Sequence, residues 1–221
     1  MIGAPLVRFA SDADAAAAKR KEIAERLRKG EEVRVTNSGQ VVEPTDPEAV
    51  EGKTLKAPEG KLAEGRQMSG FYWYQRNPQL FEAEKLAMRE NFPNFTLEKL
   101  DDGRICWVGD LNPRGSSGGV WTLMVVYDHN HPHNNTYGGS LRVYSVKPDL
   151  NDLYKAAGSL PHVLRDANGD LYMCTARPED VDSGNVATSA AKALGWAAKW
   201  IFIVEEWLEG DLGDEVFEHT Y

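Results

Sequence analysis

Apolar positions along the chain change their period twice. From Ser11 or Asp12, either of which can cap a helix, alanines followed by Ile23 and Leu27 form a thin stripe that runs to Lys29 and stops at Gly30. Residues 33–35 and 41–42 flank Asn37-Ser38-Gly39 and predict a small hairpin. Residues 43–70 then set Pro44, Pro47, Pro58 and four glycines among glutamates and lysines, the composition of a linker. Residues 1–70 thus read as an N-terminal helical arm and linker. A helix with so thin a stripe is peripheral or waits for a partner.

A second regime begins at Phe71-Tyr72-Trp73-Tyr74. Asn77-Pro78 has the form of a helix start, an N-cap followed by proline at the first helical position, and Leu80, Phe81, Ala87 and Met88 share one face of a helix over 78–91. Then the period shortens to that of strands. Residues 95–100 and 104–111 flank the turn dipeptide Asp102-Gly103, and a polar Gly-Ser loop fills 112–119. Residues 120–127 are apolar on both faces, as a central strand requires, and a fourth strand over 141–146 ends at Pro148. After a polar stretch a long helix spans about 186–208, with Trp196, Trp200, Ile203 and Trp207 on one stripe. The predicted fold is α+β: a four-stranded antiparallel meander flanked by helices.

Between the fourth strand and the last helix lies LPHVLRDANGDLYMCT, residues 160–175. Asn168-Gly169 is a strong hairpin signal, because both residues tolerate the positive φ of a type I′ turn. Counting outward from it brings His162 to within a residue of the level of Cys174. A thiol beside an imidazole suits nucleophilic chemistry, since the thiolate is the reactive form and a nearby cation favours it. A buried structural cysteine beside a satisfied histidine accounts for the same residues, and a one-residue slip of register would separate the pair.

Composition narrows these options. The 221 residues suffice for one substantial domain plus an appendage, and 42% hydrophobic content with six tryptophans is ample for a core. A net charge of −9 argues against nucleic acid or an anionic membrane as the main partner, since both need a basic face. No basic-then-apolar leader opens the sequence, the longest apolar run, in the last helix, is interrupted by Lys192, Lys199, Glu205 and Glu206, and two distant cysteines make no disulfide framework; a reducing cytoplasm is the expected setting.

Two other clusters could carry chemistry. Asp128-His129-Asn130-His131-Pro132-His133 places three of the five histidines just past a strand. If the segment were extended, His129, His131 and His133 would face one side and could suit zinc; Pro132 and the Asn- and Gly-rich residues that follow favour a hairpin loop, either solvated or a flap over an active site. The acidic loop with Glu179, Asp180 and Asp182 reads by default as solvation, with Ser183 or Asn185 capping the last helix. Cys106, between Ile105 and Trp107 in a strand, reads as packing.

The order of these parts resembles the ubiquitin-conjugating enzyme family, in particular its divergent bacterial members. The resemblance covers roughly residues 71–210 and implies a division into the arm over 1–70 and a catalytic domain over 71–221. His162 falls on the family's histidine, Asn168-Gly169 on its turn and Cys174 on its thioester-forming cysteine. The family's asparagine after that histidine is replaced by Val163 and Leu164, and the segment from turn to cysteine is longer. The later helices of the family have no counterpart after residue 208. The resemblance implies that Cys174 accepts a ubiquitin-like modifier from an adenylating activating enzyme and passes it to a protein substrate. It further implies a setting in antiphage defence beside a deconjugating metallopeptidase. No cofactor or metal is implied. With the asparagine gone, the oxyanion donor would be Asn168, His162 or a histidine of the 129–133 loop. A catalytically silent binding module of the same fold and a metal-dependent hydrolase using His129, His131 and His133 are the competing expectations.

Overall fold

Asn77 caps and Pro78 opens helix α3 (Pro78–Asn91) as the sequence predicts: the Asn77 side chain accepts the Leu80 amide at 3.1 Å. The structure is a computed structural model that describes residues 12–36, 40–42, 45–49, 72–133, 139–175 and 188–217. Before α3 come α1 (Asp12–Arg28), a two-stranded hairpin of β1 (Arg34–Val35) and β2 (Val41–Val42), and the single turn α2 (Trp73–Arg76). After it run β3 (Thr96–Lys99), β4 (Ile105–Leu111), β5 (Trp121–Tyr127) and β6 (Leu141–Lys147), the four-stranded antiparallel meander.

The meander is extended by a second hairpin. Helix α4 (Leu150–Ala157) precedes β7 (Val163–Arg165) and β8 (Leu171–Met173), and the sheet order is β3-β4-β5-β6-β8-β7. Because β8 pairs with β6, the strand leading to Cys174 lies inside the sheet and the strand leaving His162 lies at its edge. The last helix, α5 (Ala190–Glu209), is capped by Ser189, whose side chain accepts the Lys192 amide at 3.1 Å. The cap is therefore Ser189 where the sequence pointed to Ser183 or Asn185.

Alternation along the strands sorts side chains into two clusters. Leu123, Val125, Tyr127, Val143, Leu171 and Met173 face the helices and merge with Met88, Leu153, Leu194, Ile201 and Val204 in the main core. The other face carries a smaller cluster of Cys106, Met124, Val126, Tyr144 and Tyr172. The stripe that α5 buries runs through Ala193, Leu194, Ala197, Trp200, Ile201, Val204, Trp207 and Leu208. Trp196 and Ile203, placed on the buried stripe by spacing alone, are only half-buried.

Helix α1 does not stand away from this core. Ile23, Ala24, Leu27, Val33 and Val35 are all buried in the main cluster, and α1 packs on α4 and α5. Its contact with the core comes from its second half, through Ile23, Ala24 and Leu27, while Ala13, Ala15, Ala16 and Ala18 in its first half are exposed. The arm expected over residues 1–70 is, over the described α1 and β1, part of the core.

Two buried acids tie the layers together. Glu84 on α3 accepts the Tyr127 hydroxyl at 2.6 Å and the Ala190 amide at the start of α5 at 2.9 Å. Glu205 on α5 accepts the Gly119 amide at 2.9 Å and the Trp121 indole N–H at 2.8 Å, with Arg114 beside it. Burial raises the pKa of both carboxyls despite these bonds. Glycine lets the Gly-Ser loop approach this closely: a Cβ on Gly119 would sit 2.9 Å from the Leu27 carbonyl oxygen and 3.2 Å from the Glu205 carboxylate.

Candidate active site

The hairpin that carries Cys174 is closed differently from the two-residue turn expected. The Gly169 amide donates to the Asp166 carbonyl at 3.1 Å, and Gly169 alone in the turn has positive φ, +86°. Asp166 organises the loop further, since its carboxylate accepts the amides of Asn168 and Asp170, each at 2.9 Å. This is a longer turn ending in a left-handed glycine. Asn168 lies exposed at its tip, whereas Cys174 lies at the open end of the hairpin. At about 3.3 Å per residue those ends are roughly 13 Å apart. Asn168 therefore cannot reach an oxyanion formed at Cys174, which corrects the catalytic role expected for it.

His162 and Cys174, by contrast, meet across the hairpin. Val163 pairs with Met173, and one residue further out the Cys174 amide donates to the His162 carbonyl at 2.9 Å. The same oxygen accepts the indole N–H of Trp200, 3.1 Å away on α5. Held by these two bonds, His162 adopts φ +50°, a left-handed conformation that costs a non-glycine residue about 1–2 kcal/mol. That twist takes His162 out of the strand alternation, so register alone does not fix where its ring points.

Cys174 is buried at 9% exposure, and burial raises its pKa above the ordinary thiol value. Cys106, fully buried in β4, is pushed up to about 12. Neither thiol forms a disulfide. Cys174 is the less deeply buried of the two, at 9% exposure against 0% for Cys106.

Around Cys174 the outer sheet face supplies groups the sequence analysis passed over. Val143 pairs with Met173, so continuing that register sets Arg142 opposite Cys174 and Tyr144 opposite Tyr172. The Tyr144 and Tyr172 rings lie 5.7 Å apart, and the Arg142 guanidinium sits 5.6 Å over Tyr172 while pairing with Asp128 at 3.5 Å. Tyr144 donates to the Asp166 carboxylate at 3.1 Å, and burial beside that acid pushes its pKa up to about 12. The period-two spacing of Tyr172 and Cys174 was the signal that could have found this face.

The histidine loop is not the extended ligand set its spacing suggested. His131 is buried, wedged 4.4 Å from Trp73 and 4.9 Å from Tyr127 between ring centroids, with Nδ1 2.7 Å from the Ser140 hydroxyl. Burial lowers its pKa to about 4. His129 and His133 are exposed and turn outward. Among the described residues no group of three or more His, Cys, Asp or Glu side chains could hold a metal ion, so the hydrolase alternative has no metal centre there. The acidic loop residues Glu179, Asp180 and Asp182 lie outside the described residues. No described helix is long and apolar enough to cross a membrane.

The model of one protein family, described as Type II CBASS E2 protein, matches residues 84–212. That span runs from Glu84 in α3 to just beyond α5 and includes His162, Cys174 and Trp200. Comparison with curated proteins and with solved structures gave no match.

Proposed function

Because the chain belongs to the Type II CBASS E2 protein family, a ubiquitin-conjugating-enzyme-like family of bacterial antiviral defence, we propose that it carries a ubiquitin-like modifier as a thioester on Cys174. The single observation behind the residue assignment is the Cys174 amide to His162 carbonyl bond, which sets cysteine and histidine opposite each other at the open end of the hairpin.

The chemistry follows from the thiol. An ordinary cysteine of pKa about 8.5 is a few per cent ionised at neutral pH, and burial here lowers that fraction. Uncovering the thiol as the modifier-loaded activating enzyme docks restores it, with the His162 imidazole as the base that takes up the thiol proton. The Cys174 thiolate adds to the thioester carbonyl on the activating enzyme; that enzyme's thiolate leaves and takes up a proton. An acceptor amine of the protein substrate then attacks the new thioester, and Cys174 departs as thiolate while the amine loses its proton. Arg142 and Tyr172, on the face of Cys174, are the donors best placed for the oxyanion in place of the missing asparagine. One such donor is typically worth about 2.7–4 kcal/mol.

The test is a thiol-sensitive adduct with the modifier, formed with activating enzyme and ATP, lost in Cys174→Ala and kept in Cys106→Ala. A second reading, a catalytically silent module of the same fold, is favoured by the burial of Cys174. It predicts modifier binding with no covalent adduct.

A further inference from the structure

The surface histidines and an arginine outside the thioester site converge on one cavity. Arg76, at the end of α2, together with His129, Asn130 and His133 lines an open cavity of about 330 Å³. His131 packs against Trp73 and Tyr127 and lies within hydrogen-bond distance of Ser140, which anchors the middle of the segment that carries His129, Asn130 and His133. The Arg76 guanidinium donates to the His129 carbonyl at 3.1 Å, and the Tyr72 ring stacks on the His129 ring at 6.1 Å. The Asn130 side-chain oxygen is buried and has no hydrogen-bond partner.

Two imidazoles suggest a cation site, but the guanidinium decides against it. Arg76 carries a permanent positive charge on the cavity wall, which repels a divalent ion and attracts an oxyanion in a bidentate grip. The nearest carboxylates, Asp102 and Asp128, are paired with Arg104 and Arg142, so the Arg76 charge on the concave wall is left for a ligand, with the imidazoles of His129 and His133 beside it.

The position indicates whose anion this is. The cavity sits just past the end of β5, and Tyr127 pairs with Leu141 where β6 begins. Val143 of β6 pairs with Met173, so Cys174 emerges at the same end of the sheet. Strands β5 and β8 are separated only by β6, about 10 Å apart at the usual strand spacing. A standard protein contact of about 800 Å² per partner covers both places.

From this geometry we infer that the Arg76, His129 and His133 cavity is a docking pocket for a carboxylate side chain on the acidic surface of the protein that receives the modifier. The acceptor's identity rests on the thioester reading of Cys174; the binding chemistry does not. Carboxylate recognition orients the acceptor at the sheet end where Cys174 holds its cargo.

The experiment uses the full chain, isotope-labelled, with the imidazole resonances of His129 and His133 as the readout. A short capped peptide of consecutive glutamates should shift both saturably, and its all-glutamine twin should not. Arg76→Gln should weaken glutamate-peptide binding about ten-fold or more with an unchanged melting temperature, because Arg76 is exposed at a helix end. Arg76→Lys keeps the charge without the fork and should fall between. Cys174→Ala should bind the peptide as the parent does, so loss of the thioester and loss of the pocket are read separately. Equal shifts from the glutamine peptide, or none from either, overturn the inference. Tighter binding of inorganic phosphate than of the glutamate peptide also overturns it, by assigning the pocket to a phosphoryl ligand.

Discussion

Trp200 and Cys174 are joined through one atom: the indole N–H at 3.1 Å and the backbone amide at 2.9 Å both donate to the carbonyl oxygen of His162. The last helix thereby fixes the left-handed backbone of His162 and, with it, the strand end that presents Cys174. Trp200→Phe removes the indole donor and keeps most of the packing. It should cost about 1 kcal/mol in chemical denaturation, the usual worth of one hydrogen bond, while thioester formation slows several-fold at saturating partner concentration. Unaltered transfer in Trp200→Phe would show that His162 needs no such anchor.

The pH dependence of stability should reveal Asp152. This α4 residue is 1% exposed, neither carboxylate oxygen has a hydrogen-bond partner, and Arg34 approaches only to 3.9 Å. Burial and neighbouring Asp149 raise its pKa to about 6. The folded state therefore holds its proton more tightly than the unfolded state, and stability is lost as pH rises from about 4 to 6. Asp152→Asn should gain on the order of 2 kcal/mol over the parent at pH 8, with the difference vanishing below pH 4, followed by denaturant melts across that range.

His131 acts in the opposite direction. Its pKa of about 4 lies below the unfolded value near 6.5, so its contribution is complete above pH 6.5 and is lost as pH falls toward 4. His131→Ala should destabilise by about 2–3 kcal/mol at pH 7 through lost packing on Trp73 and Tyr127. His129→Ala and His133→Ala, at the surface, should stay within about 0.5 kcal/mol in the same melts.

Helix α1 offers a direct test of where the core ends. Leu27→Ala should cost about 2–4 kcal/mol, since Leu27 is 5% exposed within the main cluster. Removing residues 1–36 should expose the α4 and α5 faces and cause aggregation. A truncated protein that melts like the full chain would restore the detachable arm.

Much of this fold was legible because local signals agreed with it. Asn77-Pro78 fixed the start of α3, Asp102-Gly103 the β3–β4 turn, and the two-sided apolar run over 120–127 the central β5. Helix α4 was not predicted, although Asp149, Leu150, Leu153, Ala156 and Gly158 carry a cap, a stripe and a left-handed stop; two turns of helix are too short for a strong periodic signal. The hairpin placed His162 opposite Cys174 correctly, yet spacing alone could not show the Trp200 anchor, which depends on a contact between residues 38 positions apart. The turn expected from Pro132 carries the histidine triplet, but spacing alone could not show that its middle member, His131, faces the core.

The central claim is the identity of the nucleophile. The most direct measurement incubates the protein with its activating enzyme, ATP and modifier, and follows the intact mass with and without a thiol reductant. The account predicts one reducible adduct of the modifier's mass, abolished by Cys174→Ala and retained in Cys106→Ala. An adduct that persists in Cys174→Ala, or none in the parent protein while the modifier still binds, would contradict it.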